Sequence, residues 1–510
     1  HVRAVARDRA AELTLDTNIV DLGLDSLERM EIVAALEESF AGRLPNDVVA
    51  EAETCREVIM AVQTFLIETS PDVMAPAMPG TARDRGDWTL DSLPQIAQLE
   101  SDREQLREAG IENPFFQAHE GIGGPTTIVD GRELINFASY NYLGASGDPV
   151  VAQAAKDAID RYGTSVSASR VVSGERPLHQ QLESALAGWI GVEAAVVYVG
   201  GHATNESTIG HLLGPGDLVL HDALAHNSII QGALLSGARR RAFPHNDWEA
   251  LGRLLARIRD DYRRVLIAVE GVYGMDGDIP HLPRFIEVKQ QHRSLLLVDE
   301  AHSLGTIGAT GRGIGEHHAV DAGDVDLWMG TLSKALGSCG GYIAGSRTVV
   351  DYLRYTSPGF VYSVGISPAS AAAALAALQQ LEAHPERVAR LHELSKMFLD
   401  QTRAAGLNVG KSAGTPVVPV IVGDATKTMR LAQRMSELGI NVRPLLPPAV
   451  EEDASRLRFF VTSGHSEEQI ATAVSAMRQA MAELEGNVLS NGALRNGATK
   501  AGHAKEQPTL

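Results

Sequence analysis

The chain has 510 residues, 44% of them hydrophobic and 21% charged, which is ordinary globular composition over a length that suits two to four domains. A formal net charge of −19 argues against a nucleic-acid-binding surface, and two dissimilar cysteines, Cys55 and Cys339, provide neither a disulfide framework nor a cysteine-based zinc site. No apolar run approaches the roughly 18 residues a membrane helix needs, and the charged start HVRAVARDRAAEL lacks a secretory core, so a cytoplasmic protein without an integral membrane segment is expected.

The first stretch is the most acidic: residues 1–70 hold 14 Asp/Glu against six Lys/Arg. Within it, DLGLDSLERMEIVAALEE (21–38) places Leu27, Met30, Val33, Ala34 and Leu36 at helical spacing after a turn, with Ser26 where an N-cap would stand. The chain begins at His1 rather than Met, as a piece of a longer synthase would. Residues 71–90 follow as a linker, with three prolines and two glycines in 71–87 and little apolar periodicity.

QIAQLESDREQLREAG predicts a polar-faced helix ending at Gly110, and GGPTTIVDGRELINF predicts a hairpin turned at Asp130-Gly131. From about 150, helical stretches alternate with the apolar runs AAVVYVG, DLVLHD, RVLIAVEGV, SLLLVDEAHS and DLWMGTLS, the pattern of a doubly wound α/β domain with a mostly parallel sheet. TPVVPVI (415–421) and RLRFFVT (456–462) predict strands of a smaller terminal subdomain, and 487–510, poor in large apolar residues, predicts a disordered tail.

Asp299-Glu300-Ala301-His302 spells the acidic box of a helicase-type ATPase. That chemistry needs an upstream phosphate loop, and the nearest approximation, AGLNVGKS (405–412), has Ala405 in place of the first glycine and lies downstream. A different pairing fits better. Asp299 and Lys334 both follow strand-like runs, and ligands of such sheets bind outside the strands' C-terminal ends. An acid and a lysine brought together there suit pyridoxal phosphate, the lysine as Schiff base and the carboxylate on the pyridine nitrogen. The turn Gly201-His202-Ala203 could cradle its phosphate, and His226, after another strand, could stack on its ring.

FASYNYLG, HDALAHNSI, EGVYGMDGDIPHLP, LLLVDEAHSLGTIGATGRG, GTLSKALGSCGGYIAG and RLRFFVTSGH, in this order, resemble the α-oxoamine synthases of the serine palmitoyltransferase and 8-amino-7-oxononanoate synthase type. The resemblance implies a fold-type I pyridoxal-phosphate transferase over 91–486, with a large domain at about 150–400 and a small α+β subdomain at about 401–486 joined by the N-terminal segment. It implies Lys334 as the Schiff-base lysine, Asp299 on the pyridine nitrogen, His302 on the phenolic oxygen and His226 stacked on the ring. Thr331, Gly201 and His202 would contact the phosphate, with Ser363 reaching the phosphate of a neighbouring subunit in a homodimer. Arg458 would take the amino acid's carboxylate beside Asn141. Three departures stand out: Gly274 where the family often has serine, GTSVSASR (163–170) without the usual glycine pair, and His202 in place of an aromatic.

Residues 1–70 resemble an acyl carrier protein of the polyketide type, a small α-helical bundle. The resemblance implies 4′-phosphopantetheine on Ser26, and as partners a phosphopantetheinyl transferase and upstream acyl-loading or polyketide synthase enzymes. Together the two resemblances imply decarboxylative condensation of a small amino acid (glycine, alanine or serine) with a carrier-bound acyl thioester, giving an α-amino ketone and carbon dioxide. The alternatives are an aminotransferase acting on a carrier-bound carbonyl, a synthase using coenzyme A thioesters, and a non-catalytic scaffold.

Overall fold

The computed structural model describes residues 89–500, with side chains to residue 484; Ser26, the carrier segment and all but the end of the linker lie outside the described residues. The first helix, Pro94–Glu108, ends where Gly110 takes a left-handed φ of 67°, as its sequence predicts. Strands β1 (Thr126–Val129) and β2 (Arg132–Asn136) pair antiparallel. Their two-residue turn has positive φ at Asp130 and Gly131, the geometry that an Asp-Gly pair allows at little cost.

Seven strands form the central sheet: β3 (Ala194–Tyr198), β4 (Leu218–Asp222), β5 (Arg239–Phe243), β6 (Val265–Glu270), β7 (Leu295–Asp299), β8 (Leu327–Thr331) and β9 (Gly341–Gly345). Their order is β3-β9-β8-β7-β6-β4-β5, and β9 alone runs antiparallel to its neighbours. All five apolar runs named from the sequence are strands of this sheet. Helices cover both faces, so the inner strands are buried on both sides and read as continuous apolar stretches. Along β6 the alternation divides the core: Val265, Ile267 and Val269 join the larger cluster, while Leu266 and Ala268 face the smaller one across the sheet. Strand β5 escaped the sequence reading because its RRRAF is exposed except at Phe243, as suits an edge that must not pair with another chain.

The C-terminal part builds a second, three-stranded sheet from β10 (Val417–Gly423), β12 (Arg443–Leu445) and β13 (Ser455–Phe460), ordered β10-β13-β12. Strand β11 (Ile440–Asn441) joins the N-terminal hairpin instead, parallel to β2. The last helix, Glu467–Lys500, extends into the stretch 487–510 for which composition predicts disorder. Its first half buries Ile470, Ala473 and Met477 in the core, and lengthening a helix already nucleated needs no new nucleus. No helix among the described residues is long and apolar enough to cross a membrane.

Candidate active site

A cavity of about 190 Å³ opens at the C-terminal ends of β6, β7 and β8. Its lining holds seven residues singled out from the sequence: Gly201, His202, His226, Asp299, His302, Thr331 and Lys334. Parallel strands end together, so acids and hydroxyls at strand termini converge there although far apart in sequence.

Asp299 is 3% exposed at the end of β7. One carboxylate oxygen accepts the Ala301 N–H at 2.9 Å, and the other accepts the Asn205 side-chain amide at 2.9 Å. Asn205 also donates to Ser228 Oγ at 2.9 Å, which in turn lies 2.7 Å from His226 Nδ1. The carboxylate is thereby fixed from behind. Its neighbour Glu300 faces the other way, accepting from Ser303 Oγ and from the Ile314 N–H at 3.1 Å. Burial, with Asp299 adding to it, raises the Glu300 carboxyl to about 7. The letters that resemble an ATPase box thus serve two different tasks.

Lys334 follows β8 and sits 5.9 Å from the Tyr140 ring centroid. Burial lowers its ammonium well below the ordinary lysine value, against the opposing pull of Asp299 and Glu270. Glu270, which ends β6, is 5% exposed and accepts the His226 N–H at 2.7 Å and the Gly274 N–H at 3.3 Å. Burial and then the Asp299 charge push its carboxyl up. His302 is 9% exposed; Nδ1 lies 2.8 Å from the Tyr142 hydroxyl, and burial followed by Lys334 and Arg458 keeps the imidazole neutral.

The donor set fits pyridoxal phosphate. The helix Gly201–Leu212 starts with no side-chain cap, which leaves its first turn open to an anion. A Cβ on Gly201 would come 2.9 Å from Thr331 Oγ1, so glycine keeps the space between helix start and hydroxyl clear. A buried, doubly hydrogen-bonded carboxylate suits a ring nitrogen's proton, and a lysine of lowered basicity suits attachment to an aldehyde.

Three sequence-derived residues are not part of this lining. Asn141 is 7% exposed, its amide occupied by Gly123 O at 2.8 Å and Ser146 Oγ at 2.7 Å. Arg458 reaches from β13 to donate to Gly274 O at 2.8 Å, lies 4.7 Å over the Phe460 ring, and leaves Nε without a partner. Ser363 is half-buried on the loop after the short helix Pro358–Val361. Ser26 lies outside the described residues. In turn, the sequence reading missed Glu270, Ser228 and Asn205. Glu270 ends the run RVLIAVEGV as Asp299 ends SLLLVDEAHS, so the same strand-end argument finds it.

Two family models match the chain: aminotransferase class I and II over residues 132–477, and phosphopantetheine attachment site over residues 2–62. The 8-amino-7-oxononanoate synthase of Symbiobacterium thermophilum is 40% identical over 379 residues, covering 74% of this chain and 96% of that protein. Its counterpart from Trichlorobacter lovleyi is 44% identical over 362 residues, covering 71% and 92%. Among solved structures, Sphingomonas wittichii serine palmitoyltransferase matches with a TM-score of 0.73 and 31% identity, over 77% of this chain and 98% of that one. A serine palmitoyltransferase from S. paucimobilis, solved with a bound pyridoxal phosphate–myriocin adduct, gives 0.74 at 29% identity over the same shares.

Proposed function

Since the chain belongs to the aminotransferase class I and II family, as a pyridoxal-phosphate α-oxoamine synthase preceded by a phosphopantetheine-attachment domain, we propose that it offloads its own carrier. The reaction joins a small amino acid to the acyl group held as a thioester on Ser26. The new carbon–carbon bond forms at the amino acid's α-carbon, the carrier thiol leaves, and the carboxylate departs as carbon dioxide. The product is an α-amino ketone. The observation that carries this reading is the match to a phosphopantetheine site over residues 2–62 in the same chain as the cavity that gathers Asp299, His302, Thr331 and Lys334. Tethering raises the local concentration of the acyl group with no new contact.

When bound, pyridoxal phosphate supplies an electron-accepting ring that stabilises negative charge at the amino acid's α-carbon. Thr331 and the helix start at Gly201 and His202 would hold its phosphate, Lys334 its aldehyde carbon, Asp299 its ring nitrogen, His302 its phenolic oxygen and His226 its ring face. Lys334 is the base for the α-proton: burial lowers its basicity, so a usable fraction is neutral near physiological pH. Arg458, with Nε unpaired, receives the amino acid's carboxylate in a planar fork until decarboxylation. Asn141 frames the substrate from the hairpin side.

The assembly is read as a homodimer. His202 and His226 are exposed on the single chain, and apolar Leu235 (69% exposed) and Tyr362 (86%) stand open to solvent, apolar surface of the kind a second subunit covers. Ser363 would then serve the neighbouring subunit's phosphate.

The deciding experiment loads holo-protein with an acyl surrogate, offers glycine, alanine and serine separately, and records product mass together with carbon dioxide. Condensation releases one carbon dioxide per amino ketone; transamination releases none. Ser26→Ala should bind pyridoxal phosphate and amino acid normally yet lose the tethered reaction, with partial rescue by separate holo-carrier. Equal rates for Ser26→Ala on a coenzyme A thioester and for the wild type on its own carrier would remove the carrier from the mechanism.

A further inference from the structure

Behind the cavity, His302 is held by one further side chain. Tyr142, within FASYNYLG, is wholly buried, and among the described residues its hydroxyl has a single hydrogen-bond partner, His302 Nδ1 at 2.8 Å. Among the described residues the other ring nitrogen, Nε2, has no hydrogen-bond partner, and His302 is part of the cavity's lining. A neutral imidazole carries one N–H, and its position follows from the hydrogen bond the other nitrogen makes. If Nδ1 held the hydrogen, it would donate to the Tyr142 oxygen, and the buried phenolic O–H would be left with no acceptor. If the phenol donates to Nδ1, the buried tyrosine–histidine pair is satisfied and the hydrogen sits on Nε2, the nitrogen left for a ligand's oxygen.

The same ring is confined on its far edge. A Cβ on Gly274 would lie 2.5 Å from His302 Nε2, closer than any side chain tolerates. In this chain the imidazole and a side chain at 274 would compete for the same space. Phe460 lies nearly parallel to the imidazole, at 6.2 Å and 12°, and its edge-to-face contact with Tyr142 closes the third side.

We propose that Tyr142 is a positioning residue that fixes His302 as the Nε2–H tautomer, so that the cavity presents a neutral donor to an anionic oxygen of its ligand, with Gly274 leaving room for that ring. The proposal rests on the reading that His302 meets the phenolic oxygen of pyridoxal phosphate. Its consequence is directional. A donor at Nε2 stabilises a phenolate and disfavours its protonation, whereas the opposite tautomer would repel it lone pair to lone pair.

The test begins without cofactor. In protein labelled with ¹⁵N-histidine, the His302 resonances, assigned by their disappearance in His302→Gln, should show hydrogen on Nε2 and none on Nδ1. Tyr142→Phe keeps the ring packing and removes only the hydroxyl; it should show a mixed tautomer, bind pyridoxal phosphate about five- to tenfold more weakly, and shift the pH profile of the bound cofactor's absorbance. Gly274→Ala, which acts from the other side, should displace the His302 signals while leaving Tyr142 in place. Hydrogen on Nδ1 in the wild type would overturn the proposal, as would a Tyr142→Phe protein with an unchanged tautomer and cofactor pH profile. If the tautomer is as expected but saturating pyridoxal phosphate leaves both His302 nitrogens unmoved, the reading that His302 meets the cofactor fails, and the proposed purpose of Tyr142 fails with it.

Discussion

The floor and the rim of the cavity are built by opposite rules. On the floor, Asp299, Glu270 and His302 are nearly inaccessible, and each is gripped by named partners: Asn205 and Ala301, the backbone of His226 and Gly274, and Tyr142. On the rim, the His202 side chain is 51% exposed, it lies 3.3 Å from the half-buried Glu206, and Tyr140 is 43% accessible. A buried polar group without its partner costs far more than an exposed one, so the floor cannot be approximate while the rim can. The difference says which chemistry one chain dictates by itself and which depends on what comes to cover it.

The largest effect expected is at Lys334. Lys334→Ala should abolish turnover and the borohydride-stable attachment of pyridoxal phosphate, checked by intact mass after reduction. Attachment persisting at another lysine would sink the assignment and reduce the floor to a binding surface. Asp299→Asn keeps the shape and removes the charge; a loss of about 3 kcal/mol in transition-state stabilisation, roughly two decades in kcat/KM, is expected. Near-native kcat/KM would mean that the grip on Asp299 is structural only.

How far the floor was legible in sequence follows from the same contrast. Asp299, Lys334 and Thr331 stand at the ends of apolar runs, and such runs announce buried parallel strands whose ends converge. The grip itself is less visible. Asn205 lies inside VGGHATNES as an ordinary polar helix residue, and only the packing of the helix Gly201–Leu212 onto the sheet turns it toward Asp299. Strand β9 (GYIAG) was missed because its five residues are glycine-flanked and carry no β-branched run, yet it is wholly buried between β3 and β8. Arg458 and Asn141 were assigned by family likeness, and no periodicity brings them near Gly274 or Gly123.

A third prediction sharpens the contrast through pH. Behind the floor, His245 bridges two carboxylates, Asp222 at 2.8 Å and Asp278 at 2.8 Å, and its ring meets Tyr273 edge-on at 4.6 Å. Together they brace the 271–280 loop that bears Gly274. Burial alone would lower the imidazole, but the two acids raise it to about 9. Because the folded value exceeds the unfolded one of about 6.5, the folded protein binds the extra proton. The contribution is therefore complete below about pH 6.5 and is lost as pH rises through about 9. It should amount to an order of 2–3 kcal/mol, read as denaturant midpoints at pH 6, 7.5 and 9. His245→Gln should flatten that dependence. If the wild type shows no fall above pH 7, the loop is not held by charge.

The smallest effect belongs to the rim. His202→Phe introduces the aromatic that the family resemblance implies at this position and deletes a 3.3 Å contact with Glu206, the two side chains being 51% and 37% exposed. Exposed polar contacts of this kind contribute little, because water competes for both groups and ordering two side chains has its own cost. The 5.9 Å edge-on contact between the His202 and His226 rings can be kept by a phenyl group of similar size. Turnover and pyridoxal phosphate affinity should therefore change by about twofold or less, within the ±0.5 kcal/mol typical of surface substitutions. A hundredfold loss would show that His202 is held by a surface not provided by its own chain, and that the rim is as closely specified as the floor once the partner subunit is in place. Repeating the measurement across protein concentration separates the two cases: a loss that deepens on dilution belongs to subunit contact, and one that does not belongs to the cavity.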